Sequence, residues 1–152
     1  MRKRSATRAD IDEFYRQKRL AIVGVSRDDK AYSRMVFREL RQRGYDVVPV
    51  NPAATEIDGV RCYANIAEVA PAVGGALVLL PAEAATAAVS DCAQAGVGRL
   101  WLRNDVPAAR EVCRGQGITL IAGYCPFMFM PGTAFVHKCH AFGLKLVGQY
   151  PS

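Results

Sequence analysis

At 152 residues the chain has the length of one domain, and its 51% hydrophobic content is enough to build a real core. Charged residues make up 22%, as in ordinary soluble proteins, and no apolar run is long enough to span a bilayer, so no membrane partner is expected. Residues 1–20 set seven cations against three carboxylates and so carry four of the six net positive charges; this basic end reads as a solvated tail and helix rather than a nucleic-acid arm.

In chain order, residues 8–18 have Ile11, Phe14 and Tyr15 at helical spacing and predict a short leading helix. The continuous apolar run Leu20 to Val25 then predicts a strand buried on both faces, as parallel sheets require. Past a polar loop from Ser26 to Lys30, Tyr32, Val36 and Leu40 place a helix over about 32–43, stopped by Gly44. Asp46 to Val50 is a second strand, whose Pro49 argues for its end or an unpaired position. Asn51-Pro52 turns the chain, residues 56–60 read as a loop with a tight turn at Asp58-Gly59, and Asn65 caps a short helix near 65–70. Ala76 to Leu80 is the third strand, stopped by Pro81, and alanine-rich residues 83–95 form a helix ending at Gly96. Arg99 to Leu102 is the fourth strand. A helix starting around Pro107, capped by Asn104 or Asp105, closes at Gly115 or Gly117, and Ile118 to Ala122 is the fifth strand. Apolar strands alternating with helices define a doubly wound α/β fold: a mostly parallel five-stranded Rossmann-like sheet with helices on both faces.

In such a sheet the ligand crevice lies beyond the carboxyl ends of the strands. The first of those ends, Gly24-Val25-Ser26-Arg27, offers a glycine for close backbone approach and leads to a helix start that favours a phosphate. Ser26 and Ser33 can add hydroxyl hydrogen bonds, and Arg27, Lys30 and Arg34 positive charge. Two motifs are missing. Only Gly24 stands where GxGxxG needs three glycines, and Asn51 ends the second strand where a nicotinamide dinucleotide site offers an acid. No GxxxxGK[ST] loop occurs either. These facts favour a Rossmann-type nucleotide pocket and count against ordinary NAD or ATP chemistry.

The series Ala21-Ile22-Val23-Gly24-Val25-Ser26, Gly44-Tyr45-Asp46-Val47-Val48-Pro49-Val50-Asn51-Pro52 and Glu56-Ile57-Asp58-Gly59 resembles the CoA-binding domain family. That family is similar to the amino-terminal domain of the succinyl-CoA synthetase α subunit. The likeness continues through Leu80-Pro81-Ala82, Leu100-Trp101-Leu102 and Tyr124-Cys125-Pro126, and so covers roughly residues 19–126. It implies a Rossmann-like fold in which Gly24 to Arg27 contact the phosphates of coenzyme A or an acyl-CoA. Val50, Asn51 and Pro52, and Leu80, Pro81 and Ala82, would supply further contacts. It does not imply ligase activity.

Residues 1–18 are accordingly expected to form a basic extension, 19–126 the CoA-binding domain, and 127–152 an extension packing on the domain or on a partner subunit of a homo-oligomer. The five cysteines are odd in number and irregularly spaced; with no export signal in the first twenty residues, reduced thiols and a cytoplasmic setting are expected. His137 and His140 could share one helix face with Cys125 or Cys139 nearby, yet no third ligand has diagnostic metal spacing, and no catalytic constellation can be assigned. The function expected is non-catalytic binding of a small-molecule nucleotide. The alternatives are a small NAD(P)-dependent oxidoreductase and a metal-assisted hydrolase built on His137 and His140.

Overall fold

A computed structural model describes residues 6–69 and 72–131. Helix α1 (Arg8–Arg16) opens with a capping box, in which the Thr7 side chain accepts from the Asp10 amide at 3.2 Å and the Asp10 carboxylate accepts from the Thr7 amide at 2.9 Å. Strands β1 (Arg19–Val23), β2 (Asp46–Val50), β5 (Gly75–Val78), β6 (Arg99–Leu102) and β7 (Thr119–Ala122) form one parallel sheet in the order β2-β1-β5-β6-β7. Pro49, which has no amide hydrogen to donate, is accommodated because β2 is the edge strand.

Alternate residues of each strand feed two separate cores. Leu20, Ile22, Val47, Leu77, Trp101 and Ile121 pack with α1 and with helix α2 (Tyr32–Gln42) on one face. Ala21, Val48, Ala76, Val78, Leu100 and Leu102 pack with helices α3 (Ala82–Gln94) and α4 (Pro107–Gln116) on the other. This is the period of two expected of strands buried on both sides. The leading helix is part of the first core, since Ile11 and Phe14 are fully buried in it.

Several elements differ from their sequence reading. Residues 56–61 are not a plain loop but a two-stranded antiparallel hairpin, β3 (Glu56–Ile57) and β4 (Val60–Arg61), with Asp58-Gly59 at its tip. The helix near 65–70 is a single 3-10 turn over Ile66–Glu68, and the Asn65 side chain reaches Glu68 rather than capping it. Val106, not Asn104 or Asp105, is the N-cap of α4, because the Asp105 carboxylate is engaged by Arg110 at 2.9 Å. Gly115 lies inside α4, and Gly117, left-handed at φ +67°, ends it.

After β7 the chain returns over the α1–α2 face. Met128, Phe129 and Met130 are buried there, and Phe129 meets Trp101 and Tyr124 edge-on or tilted. Two carbonyls of this return satisfy buried donors: Tyr124 accepts from the Trp101 indole at 2.9 Å and Pro126 from the Tyr15 hydroxyl at 2.7 Å. Residues 127–131 therefore pack on the domain itself; the remainder of the extension, 132–152, lies outside the described residues.

Candidate functional site

The strand order reverses between β1 and β5, so the switch point opens at the carboxyl ends of Val23 and Val78. Gly24 sits there at φ +98°, its amide donating to the Val50 carbonyl at 3.0 Å. A Cβ at this position would lie 2.6 Å from Leu80 Cδ2 and 3.0 Å from the Leu79 carbonyl oxygen. Glycine is thus required by conformation and by the closeness of the two strand ends. Leu80, half-buried, leans over the turn from the β5 side.

Val25 is buried in the core on the α1–α2 face, and Val50, at the end of β2, in the core on the opposite face. Asn51 fastens the two turns together: its side-chain Nδ2 donates to the Val25 carbonyl at 2.7 Å, and its Oδ1 accepts from the Ala53 amide at 2.8 Å. A carboxylate could do only the second. Asparagine here therefore has a structural reason of its own, independent of any ribose contact. Pro52 is exposed on the turn that follows.

Between Gly24 and α2 the loop holds itself with its own side chains. The Ser33 hydroxyl accepts from the Ser26 amide at 2.9 Å, the Ser26 hydroxyl from the Asp28 amide at 3.1 Å, and the Asp28 carboxylate from the Lys30 amide at 3.0 Å. Each serine keeps its O–H proton to give. The N-cap residue of α2 is Ala31, which provides no side-chain cap, so the amides of Tyr32 and Ser33 begin the helix without one. Arg27 and Lys30 are exposed, with no side-chain hydrogen bond or ion pair among the described residues. Arg34 is different from its sequence reading as a phosphate ligand. Only 7% exposed, it turns inward to the carbonyls of Ser26 (3.3 Å) and Arg27 (3.2 Å) and to Asp58.

A cluster that charge and glycine spacing did not single out lies beside the α2 start. The Arg103 guanidinium, from the end of β6, stacks 4.1 Å over the Tyr32 ring. The Tyr32 hydroxyl lies 3.6 Å from Cys125 Sγ, and its ring meets Phe127 edge-on. Burial, with the Cys125 hydrogen bond second, pushes the Tyr32 phenol well up, so it stays protonated. The signal was present as the strand ends Leu102-Arg103 and Tyr124-Cys125, but only the sheet order brings them to Tyr32. Pro81 is the N-cap residue of α3 and Ala82 its first turn, both exposed at the same edge, so two helix starts converge on this end of the sheet.

The opposite end is of another kind. A cavity of about 500 Å³ lies there, lined by Ile66, Val69, Val73, Gln94 and Val97 among others, before the start of β5 and β6. Cys92 and Cys113 are buried free thiols away from the switch point, pushed up by burial to about 12 and about 11, whereas the buried thiol of Cys62 lies behind the Asn51 turn, its Sγ 3.6 Å from the Asn51 carbonyl oxygen. Among the described residues no three His, Cys, Asp or Glu side chains are grouped to hold a metal, and His137, Cys139 and His140 lie outside those residues. No helix among the described residues is long and apolar enough to cross a membrane.

An all-parallel sheet with a glycine turn at its switch point and an uncapped helix start behind it defines a Rossmann-like α/β domain. The CoA binding domain family matches residues 18–131, well over half of the chain, and the chain belongs to that family. It is 30% identical over 88 residues to the α subunit of acetate–CoA ligase (ADP-forming) II of Pyrococcus furiosus, covering 57% of this chain but only 19% of that protein. Against YneT of Bacillus subtilis, an uncharacterised protein, it is 25% identical over 122 residues, covering 78% of this chain and 90% of YneT. Among solved structures, a conserved hypothetical protein from Pyrococcus furiosus superposes with a TM-score of 0.68 at 25% identity, covering 71% of this chain and 95% of that one. The family is that of a CoA binding domain, so membership supports coenzyme A as the ligand.

Proposed function

We propose that this domain binds coenzyme A or an acyl-CoA at the carboxyl edge of its sheet and does no chemistry on it. The observation that carries this reading is the start of α2: Ala31 provides no cap, so the first helical amides are left without a side-chain acceptor from it. Helix amides with their partial positive charge are suited to a pyrophosphate, and Arg27, Lys30 and Arg103 add three cations around the same opening. Gly24 lets the two strand ends come close together at this opening, and the O–H protons of Ser26 and Ser33 remain to be donated. Val50, Pro52, Leu80, Pro81 and Ala82 would form the walls, with Asn51 and Arg34 holding the turns from behind.

A thermal-shift panel tests the reading, because a ligand that binds only the folded state raises Tm. CoA is expected to raise Tm clearly and NAD to leave it unchanged. Arg27→Glu combined with Lys30→Glu is expected to weaken the CoA response through charge repulsion. A shift with NAD and none with CoA would overturn the proposal.

A further inference from the structure

Helix α2 carries two arginines one turn apart that share a single carboxylate. Arg34 donates to the carbonyls of Ser26 and Arg27 and to Asp58 Oδ1. Arg38 donates to the Asp29 carbonyl at 2.8 Å and to Asp58 Oδ2 at 2.9 Å. Asp58 itself is at the tip of the β3–β4 hairpin, at φ +48°, a conformation that aspartate tolerates better than most residues. Three carbonyls of the loop at 26–29 are thus taken by two guanidiniums, and both guanidiniums are held by one side chain from a different element.

The consequence lies on the other side of the loop. A trans peptide points its N–H opposite to its C=O. With the Ser26, Arg27 and Asp29 carbonyls drawn toward the arginines, the amides of Arg27, Asp28 and Lys30 turn away from them. The Asp28 and Lys30 amides are occupied by Ser26 and Asp28 side chains, which leaves the Arg27 amide turned outward with no partner among the described residues. The Nε of Arg34, buried with no acceptor, shows that the guanidinium is placed for these contacts at the expense of its own full satisfaction.

We infer that Asp58 is a positioning residue for anion binding: through Arg34 and Arg38 it fixes the loop so that the unpartnered Arg27 amide faces the ligand, without touching the ligand itself. The inference rests on the CoA reading above. Asp58→Asn keeps the shape and the tolerance of positive φ but removes the charge that holds both guanidiniums, and CoA binding is expected to weaken about tenfold.

The test compares three full-length proteins well below their melting temperatures: wild type, Asp58→Asn, and Asp46→Asn. The last breaks another surface ion pair, Arg19–Asp46 at 2.6 Å, at the far end of β2. Calorimetry gives the Kd for CoA, and hydrogen exchange in the ligand-free proteins reports the amides of 26–31. Asp58→Asn alone is expected to raise Kd and speed exchange in the loop. An unchanged Kd beside normal wild-type binding, or an effect no larger than that of Asp46→Asn, would overturn the positioning role while leaving the CoA reading intact. Wild type that fails to bind CoA would sink both. Should Asp58→Asn not fold, Arg38→Gln opens the same clamp from a side chain 40% exposed and is expected to weaken binding severalfold; an unchanged Kd there would overturn the role equally.

Discussion

Replacing Gly24 with alanine perturbs the switch point with one methyl group. Two costs can be separated. At φ +98° any residue with a Cβ is strained, by about 1–3 kcal/mol. The methyl group would also lie 2.6 Å from Leu80 Cδ2 and 3.0 Å from the Leu79 carbonyl oxygen. Leu80 can swing aside, since its contact atom is the end of a flexible side chain, whereas the carbonyl is backbone, held by the bond of the Leu79 amide to the Val23 carbonyl at 2.9 Å. The steric share is therefore at the low end of overpacking, about 1 kcal/mol, and the total is about 2–4 kcal/mol. In a chain of this length that lowers Tm by roughly 4–16 °C. Urea denaturation of Gly24→Ala, Leu80→Ala and the double variant separates the two parts. The double variant should be more stable than additivity gives by about 1 kcal/mol, because trimming Leu80 relieves only its own clash. A Gly24→Ala protein as stable as wild type, or one fully restored by Leu80→Ala, would refute the argument that conformation and the Leu79 backbone both demand glycine.

Asn51→Asp removes the donor to the Val25 carbonyl and should destabilise by about 1–3 kcal/mol at neutral pH. Because the new carboxyl can donate again once protonated, its folded pKa is raised, and the deficit should shrink as pH falls toward about 4 and be smallest below it, which denaturation at two pH values would show. Asp58 is held below the usual carboxylate range chiefly by its bond to Arg38, with burial opposing and Arg34 adding to the lowering. Its folded-state pKa is depressed, so its contribution is complete above the unfolded value near ~3.9 and is lost as pH falls through the lower folded one. Acid titration of stability should therefore be shallower in Asp58→Asn than in wild type below about pH 4; equal slopes would show that the two arginines do not hold this carboxylate.

The sheet could be read from the chain because its strands announce themselves locally. Asp46 to Val50 matches β2 residue for residue, and Pro49, which argues for a strand end or an unpaired position, lies inside this edge strand. Short elements carry no such signal. The β3–β4 hairpin has only two residues per strand, and its place is set by Arg34 and Arg38, 24 and 20 residues from Asp58 in sequence. The same distance hid the role of Arg34: a count of cations near a helix start cannot tell an arginine facing solvent from one turned toward backbone carbonyls. Asp105 was read as a cap because its type suits one, yet Arg110 competes for it and wins. Tyr32, Arg103 and Cys125 come from three different elements, and only the order β2-β1-β5-β6-β7 places them side by side.

The location of the ligand can be measured directly by titrating the ¹⁵N-labelled protein with CoA and following backbone amide resonances. Shifts should concentrate on Gly24, Ser26, Arg27, Tyr32 and Ser33, with Gly74, Gly96 and Gly98 at the far end of the sheet unmoved. Perturbation centred on those distant glycines, beside the cavity before β5 and β6, would contradict the account.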